Sequence, residues 1–286
     1  MPKISIVTDT DSSLPESIAS RYGILQVPIL IHFGEECFET GLNINDKTLF
    51  ERVDKESKLP TTAAPTPGNF ADAFRNAFEK DSSEELVCFC ISSAMSATFE
   101  AAQIAARDIL PDRKISVVDT KTLSVAQGYM AIAAVEAAAK GASVAEIIDI
   151  AARIGERSHI YGALATLKYL SMSGRVSHIA AGMAGMLDIK PILSVQNGKL
   201  DMLEKVRTKK KAWERVIELA KADAQKSEIN KMAVVHVAAL DEAREFEALL
   251  RANLKCPNEI LMAELTPGLS VHTGAGLVAV GFVTEK

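Results

Sequence analysis

Short apolar runs bounded by turn residues alternate along this chain with longer stretches whose apolar residues recur at helical spacing. The first run, 4–7, predicts a strand that ends in Thr8-Asp9-Thr10-Asp11-Ser12-Ser13. Ser13-x-x-Glu16 reads as a capping box with Pro15 in the first turn, so a helix follows and closes near Gly23. Residues 25–33 predict a second strand, and Pro28 assigns it to a sheet edge or a strand end. A short helix is expected over 47–55. Residues 59–69, LPTTAAPTPGN, carry three prolines and a glycine and predict irregular backbone that presents Thr61, Thr62 and Thr66. Phe70, Phe74 and Phe78 then share one helical stripe. LVCFCI at 86–91 has the pattern of a buried strand; Ser92-Ser93 breaks it, and a helix is expected from Met95 onward. A strand at 115–118, an Ala-rich helix at 124–139 and a further helix to about Gly155 follow.

The second half changes character. Strands are expected at 159–165, 189–195, 200–203, 232–237, 259–264 and 276–283, with helices at 209–224 and 240–250. Gln196-Asn197-Gly198-Lys199 is a hairpin signal, because Asn-Gly supplies positive φ at both turn positions. The fold class is therefore α/β with two domains. Residues 1–156 form a Rossmann-like lobe with a parallel sheet covered on both faces, and 157–286 an α+β lobe with a mixed or antiparallel sheet. In parallel-sheet folds ligands collect at the carboxyl ends of strands, where Asp9, Ser93 and Asp119 fall.

Composition narrows the function. A net charge of −5 offers no broad basic excess to neutralise phosphates, which argues against nucleic acid as partner. The chain starts with no charged head and apolar plug, and no apolar stretch is long enough to span a bilayer; a cytoplasmic protein is expected. Cys37, Cys88, Cys90 and Cys256 are scattered with no CxxC spacing, and Cys88 and Cys90, two apart on one strand, read as small buried hydrophobes rather than a metal or redox pair. No metal site, nucleotide loop or nucleophile elbow is present in the sequence, so no catalytic residue and no cofactor is assigned.

Three features carry candidate chemistry. A strand feeding a helix through Ser92 and Ser93 sets hydroxyls beside unpaired N–H groups, an anion seat. Arg207, between the hairpin and the next helix, has the planar fork that pairs with a carboxylate, and His272 sits in a glycine-bounded loop before the last strand. Leu167, Ile179, Met183, Met186, Leu187 and Ile189, among small Ala and Gly, suit a pocket that adapts to a flexible apolar ligand. An alternative rests on Asp9 and Asp11, whose spacing comes close to the DxDx[TV] loop of Mg²⁺-dependent, haloacid-dehalogenase-type phosphotransferases and phosphatases. The basic run Lys209-Lys210-Lys211 reads as a solvated face that also suits an acidic partner surface or transient contact with anionic membrane.

TDTDSS, TTAAPTPGNF, ISSAMSATFEAA, LKYLSMSGRVS, LDIKPIL, KVRTKKKA and SVHTGAGLVAVGF occur in that order. Together they resemble the DegV family, the bacterial fatty-acid-binding subunits of fatty acid kinase, over essentially the whole chain. The resemblance implies one long-chain fatty acid enclosed between the two domains as bound ligand. Its carboxylate would be held by Thr62, Ser93, Arg207 and His272, with Thr61, Ser92 and Ser96 as secondary contacts. It further implies a carrier that is no enzyme by itself and presents the acid to a separate ATP-dependent kinase, which makes acyl phosphate for phospholipid synthesis. Where the family often reads TSQPSP this chain has Thr62-Ala63-Ala64-Pro65-Thr66-Pro67, and where the turn usually reads SSGLSGT it has Ser92 to Thr98 as SSAMSAT.

Overall fold

The computed structural model describes residues 3–172 and 189–286. They form two compact units, one of residues 3–44 and 60–156, the other of 45–59, 157–172 and 189–286. In chain order the first half runs β1 (Ile4–Asp9), α1 (Glu16–Tyr22), β2 (Leu25–Val27), β3 (Leu30–Phe33), β4 (Glu36–Glu39), α2 (Asp46–Glu56), β5 (Thr61–Ala63), α3 (Pro67–Asp81), β6 (Glu85–Cys90), α4 (Thr98–Ile104), β7 (Lys114–Asp119), α5 (Ser124–Ala139) and α6 (Val144–Glu156). The second half runs β8 (Ser158–Ala163), α7 (Lys168–Met172), β9 (Lys190–Gln196), β10 (Lys199–Val206), α8 (Lys209–Ala224), β11 (Ile229–His236), α9 (Leu240–Asn253), β12 (Leu261–Glu264), α10 (Pro267–Thr273) and β13 (Val278–Thr284).

In the first unit β2-β1-β6-β7 form an all-parallel sheet. Successive side chains on a strand point to opposite faces. Val7 of β1 joins Cys88 and Cys90 in a core with Phe70, Phe74 and Phe78 of α3 and Ala101 and Ala102 of α4. Thr8, on the other face, accepts from Gln127 of α5 at 2.9 Å, so helices cover both sides. The strand expected over 25–33 is two strands. Pro28 has no N–H to continue a ladder, and beyond it β3 leaves the parallel sheet for a separate antiparallel one, β4-β3-β5. The Pro/Thr stretch is likewise more regular than expected. Thr61–Ala63 pairs with β3, and Thr66 caps α3 in a capping box with Asn69, Pro67 occupying the first turn where its missing N–H costs nothing.

Two helix starts correct the sequence reading. Asp9 accepts from Asp11 N and caps a single 3-10 turn, Thr10–Ser12, which leaves Ser13 left-handed at φ 51°; α1 then starts at Glu16 with no side-chain cap, so the expected capping box does not form. After β6 the chain makes turns through 92–97, and α4 begins only at Thr98, so Ser93 caps no helix.

The second unit is built on a six-stranded mixed sheet, β10-β9-β8-β13-β11-β12, in which only the β11–β12 pair is parallel. Asn197 (φ 50°) and Gly198 (φ 78°) make the predicted hairpin turn. Trp213, Val216 and Ile217 of α8 and Phe246 and Leu250 of α9 bury against Val234, Val278, Val280 and Phe282. α2 groups with this unit although it precedes β5 in the chain, a placement that continuity along the sequence does not reveal. No described helix is long and apolar enough to cross a membrane.

Candidate functional site

At the carboxyl edge of the parallel sheet the chain gathers hydroxyls and carboxylates because three strands end there in polar residues. Ser93 follows β6 and Asp119 ends β7, and the parallel pairing of those strands brings them together. Ser93 Oγ donates to Asp119 Oδ2 at 2.5 Å and Ser93 N to Oδ1 at 3.1 Å; Lys121 N adds a third donor to Oδ1 at 3.0 Å. The exposed Ser93 thus already serves one anion, the carboxylate of its own neighbour. Ser92 is buried, and its backbone N–H reaches Thr122 O at 2.9 Å. Ser96 shares a 2.8 Å hydrogen bond with Thr98 Oγ1. Thr61 is exposed and Thr62 half-buried in β5.

The Asp9–Asp11 pair does not make a phosphotransfer site. Asp9 is fully buried; its Oδ1 accepts from Asp11 N at 3.0 Å and its Oδ2 from Ile91 N at 2.8 Å. An attacking carboxylate needs an oxygen facing substrate, and both of these are turned inward. Burial pushes the carboxyl up to about 6, against the N–H of Ile91, the Gln127 side chain and the N–H of Asp11, which pull it down. Among the described residues no group of three or more His, Cys, Asp or Glu is placed to hold a metal ion.

In the second unit Arg207 is exposed in the turn between β10 and α8, followed by Thr208, whose hydroxyl caps α8 by accepting from Lys211 N. His272 is half-buried and lies in the last turn of α10, so the expected glycine-bounded loop is helical up to Thr273. Leu167 is buried and Ile189 half-buried; Ile179, Met183, Met186 and Leu187 lie outside the described residues. The basic run opens α8, with Lys209 Nζ 4.8 Å from the Trp213 ring centre.

Two polar groups escaped the sequence reading. Asp46, the first residue of α2, is buried at 2% exposure and accepts from Ser270 Oγ at 2.5 Å. The Asn45-x-x-Thr48 capping box marks that helix start in the sequence, but nothing local names Ser270 as partner.

A parallel-sheet unit joined to a mixed-sheet unit, with hydroxyls and carboxylates at the strand ends of the first, defines a two-unit α/β protein. Residues 3–285 match the model of the DegV family, and the chain belongs to that family. A DegV domain-containing protein of Streptomyces coelicolor is 33% identical over 278 residues, 97% of each chain. Among solved structures, DegV of Bacillus subtilis, a fatty acid binding protein, superposes with a TM-score of 0.86 at 27% identity over 100% of both chains. The fatty-acid-binding DegV family protein of Thermus thermophilus gives 0.87 at 26% identity, over 99% of this chain and 100% of its own.

Proposed function

We propose that this protein binds one long-chain fatty acid. The observation that carries the reading is whole-chain likeness, in sequence and in fold, to the fatty-acid-binding DegV proteins of Bacillus subtilis and Thermus thermophilus. The physical requirements agree. An alkyl chain contributes about 0.8 kcal/mol per buried CH₂. A carboxylate taken out of water with it must be met by donors. Thr62, Ser93, Arg207 and His272 are the residues we assign to it, Ser93 donating its hydroxyl to the ligand only in exchange for its bond to Asp119, with Thr61, Ser92 and Ser96 nearby in sequence; Leu167 and Ile189 are assigned to the tail together with Ile179, Met183, Met186 and Leu187.

We further infer that the bound acid is handed to a separate ATP-dependent kinase for acyl phosphate formation, with the lysines at 209–211 as a docking face for that partner. The test begins with extraction: protein purified without added lipid is expected to release a long-chain fatty acid on denaturation, identified by mass spectrometry. Absence of any acyl chain, together with no uptake of added oleate or palmitate in calorimetry, would overturn the reading. Arg207→Ala is expected to weaken oleate binding, while Lys210→Ala leaves it unchanged.

A further inference from the structure

One side chain of helix α10 is not fully buried. Pro267, Gly268, Leu269, Ser270, Val271 and Thr273 are all buried, and His272 alone is half-buried. The helix is held two residues before that histidine and two residues after it. Before it, Ser270 Oγ donates to Oδ1 of Asp46 on α2. After it, Gly274 lies so close to Tyr169 that a Cβ there would stand 2.2 Å from the ring Cδ2. Tyr169 in turn meets Phe50 of α2 edge-on, with centroids 5.9 Å apart and planes at 81°. Both holds trace back to α2.

Leu49, Phe50 and Val53 give α2 a buried apolar stripe with which to dock. The carboxyl of Asp46 is not needed for that. Its Oδ2 is buried without a hydrogen-bond partner among the described residues, and an apolar pair of similar volume would carry no such desolvation cost. What a buried Asp–Ser bond adds is direction, because it is satisfied at only one rotation of α10 against α2. We propose that Asp46 is a positioning residue for His272, fixing through Ser270 the orientation in which α10 presents the imidazole to the fatty-acid head group; this rests on the fatty-acid reading above.

The test compares Asp46→Ala, Asp46→Asn, Ser270→Ala and the apolar control Val53→Ala. Each is titrated with oleate by calorimetry, and the His272 imidazole signals are recorded by NMR without oleate. Asp46→Ala and Ser270→Ala are expected to weaken oleate by about tenfold and to shift the His272 signals. Asp46→Asn, whose side-chain oxygen still accepts from Ser270, is expected to rescue binding to within about threefold of the wild type. Val53→Ala should lower the melting temperature and leave the His272 signals in place. Unmoved His272 signals in Asp46→Ala, or an equal loss of oleate affinity in Val53→Ala, would overturn the proposal. If the wild-type protein takes up no oleate, the fatty-acid reading falls on its own, and the NMR arm still decides whether Asp46 orients His272.

Discussion

Ser93 commits both its hydroxyl and its N–H to Asp119, and that pairing sets the electrostatics of the carboxyl edge. In the proposed site a bound fatty-acid head group would stand near the Asp119 carboxylate, which would oppose it and compete with it for the Ser93 hydroxyl. Asp119→Asn removes the charge and is expected to tighten oleate binding by about threefold to tenfold. Calorimetry at low salt checks this, and weaker binding would mean that the orienting role dominates. Asp46 makes a second prediction at this scale. Its carboxyl is pushed up to about 7 by burial, against the Ser270 hydrogen bond and with help from the nearby Glu264 charge. An unfolded aspartate titrates near about 3.9, so between these values the folded chain holds a proton that the unfolded chain has released. Stability from this group is therefore present at the acid end of the window and is lost as pH rises toward 7 and beyond. Asp46→Asn should flatten that fall by roughly 2 kcal/mol or more between about pH 5 and about pH 8. Urea unfolding measures it, and identical pH slopes for variant and wild type would refute it. Neither pairing was legible in the sequence, because Ser93 and Asp119 are joined by strand pairing and Asp46 and Ser270 by tertiary packing.

Elements whose pattern is continuous were legible. β6, buried on both faces, reads as LVCFC without interruption, and α5 reads as a helix because only an all-round buried one tolerates so much alanine and so little charge. Elements that depend on a neighbour were not. Thr61–Ala63 is a strand only because β3 offers it a ladder, and the prolines around it had argued for loop. Ser13 has the right residues for a capping box, yet Asp9 claims the turn first and leaves Ser13 left-handed. The close packing of that turn on α5 gives a further prediction. A Cβ at Gly128 would stand 2.7 Å from Leu14 Cδ2 and 3.0 Å from Ser12 O. Backbone cannot move aside cheaply, so Gly128→Ala is expected to destabilise by about 1–3 kcal/mol despite alanine's better helix propensity. Thermal unfolding reads the sign, and a rise in melting temperature would show that the turn yields.

At the scale of the molecule, the proposed binding of a fatty acid asks for donors and an apolar lining and for no phosphate cradle. A ligand that binds only the folded chain stabilises it by mass action, by about 2.7 kcal/mol at a hundredfold excess over Kd. Oleate is thus expected to raise the melting temperature in a concentration-dependent way, and decanol, with a tail but no carboxylate, to raise it less. Equal shifts for the two would mean that the carboxylate finds no dedicated donors.

The segment 45–59 belongs to one unit while the chain on both sides of it belongs to the other. During translation α2 leaves the ribosome long before α10, the helix that Asp46 bonds, has been made. Its apolar stripe must wait for Tyr169 and then α10 to be made. A gene fragment ending after residue 156 would therefore yield a polypeptide with that greasy helix bare, prone to stick to chaperones or to its own copies.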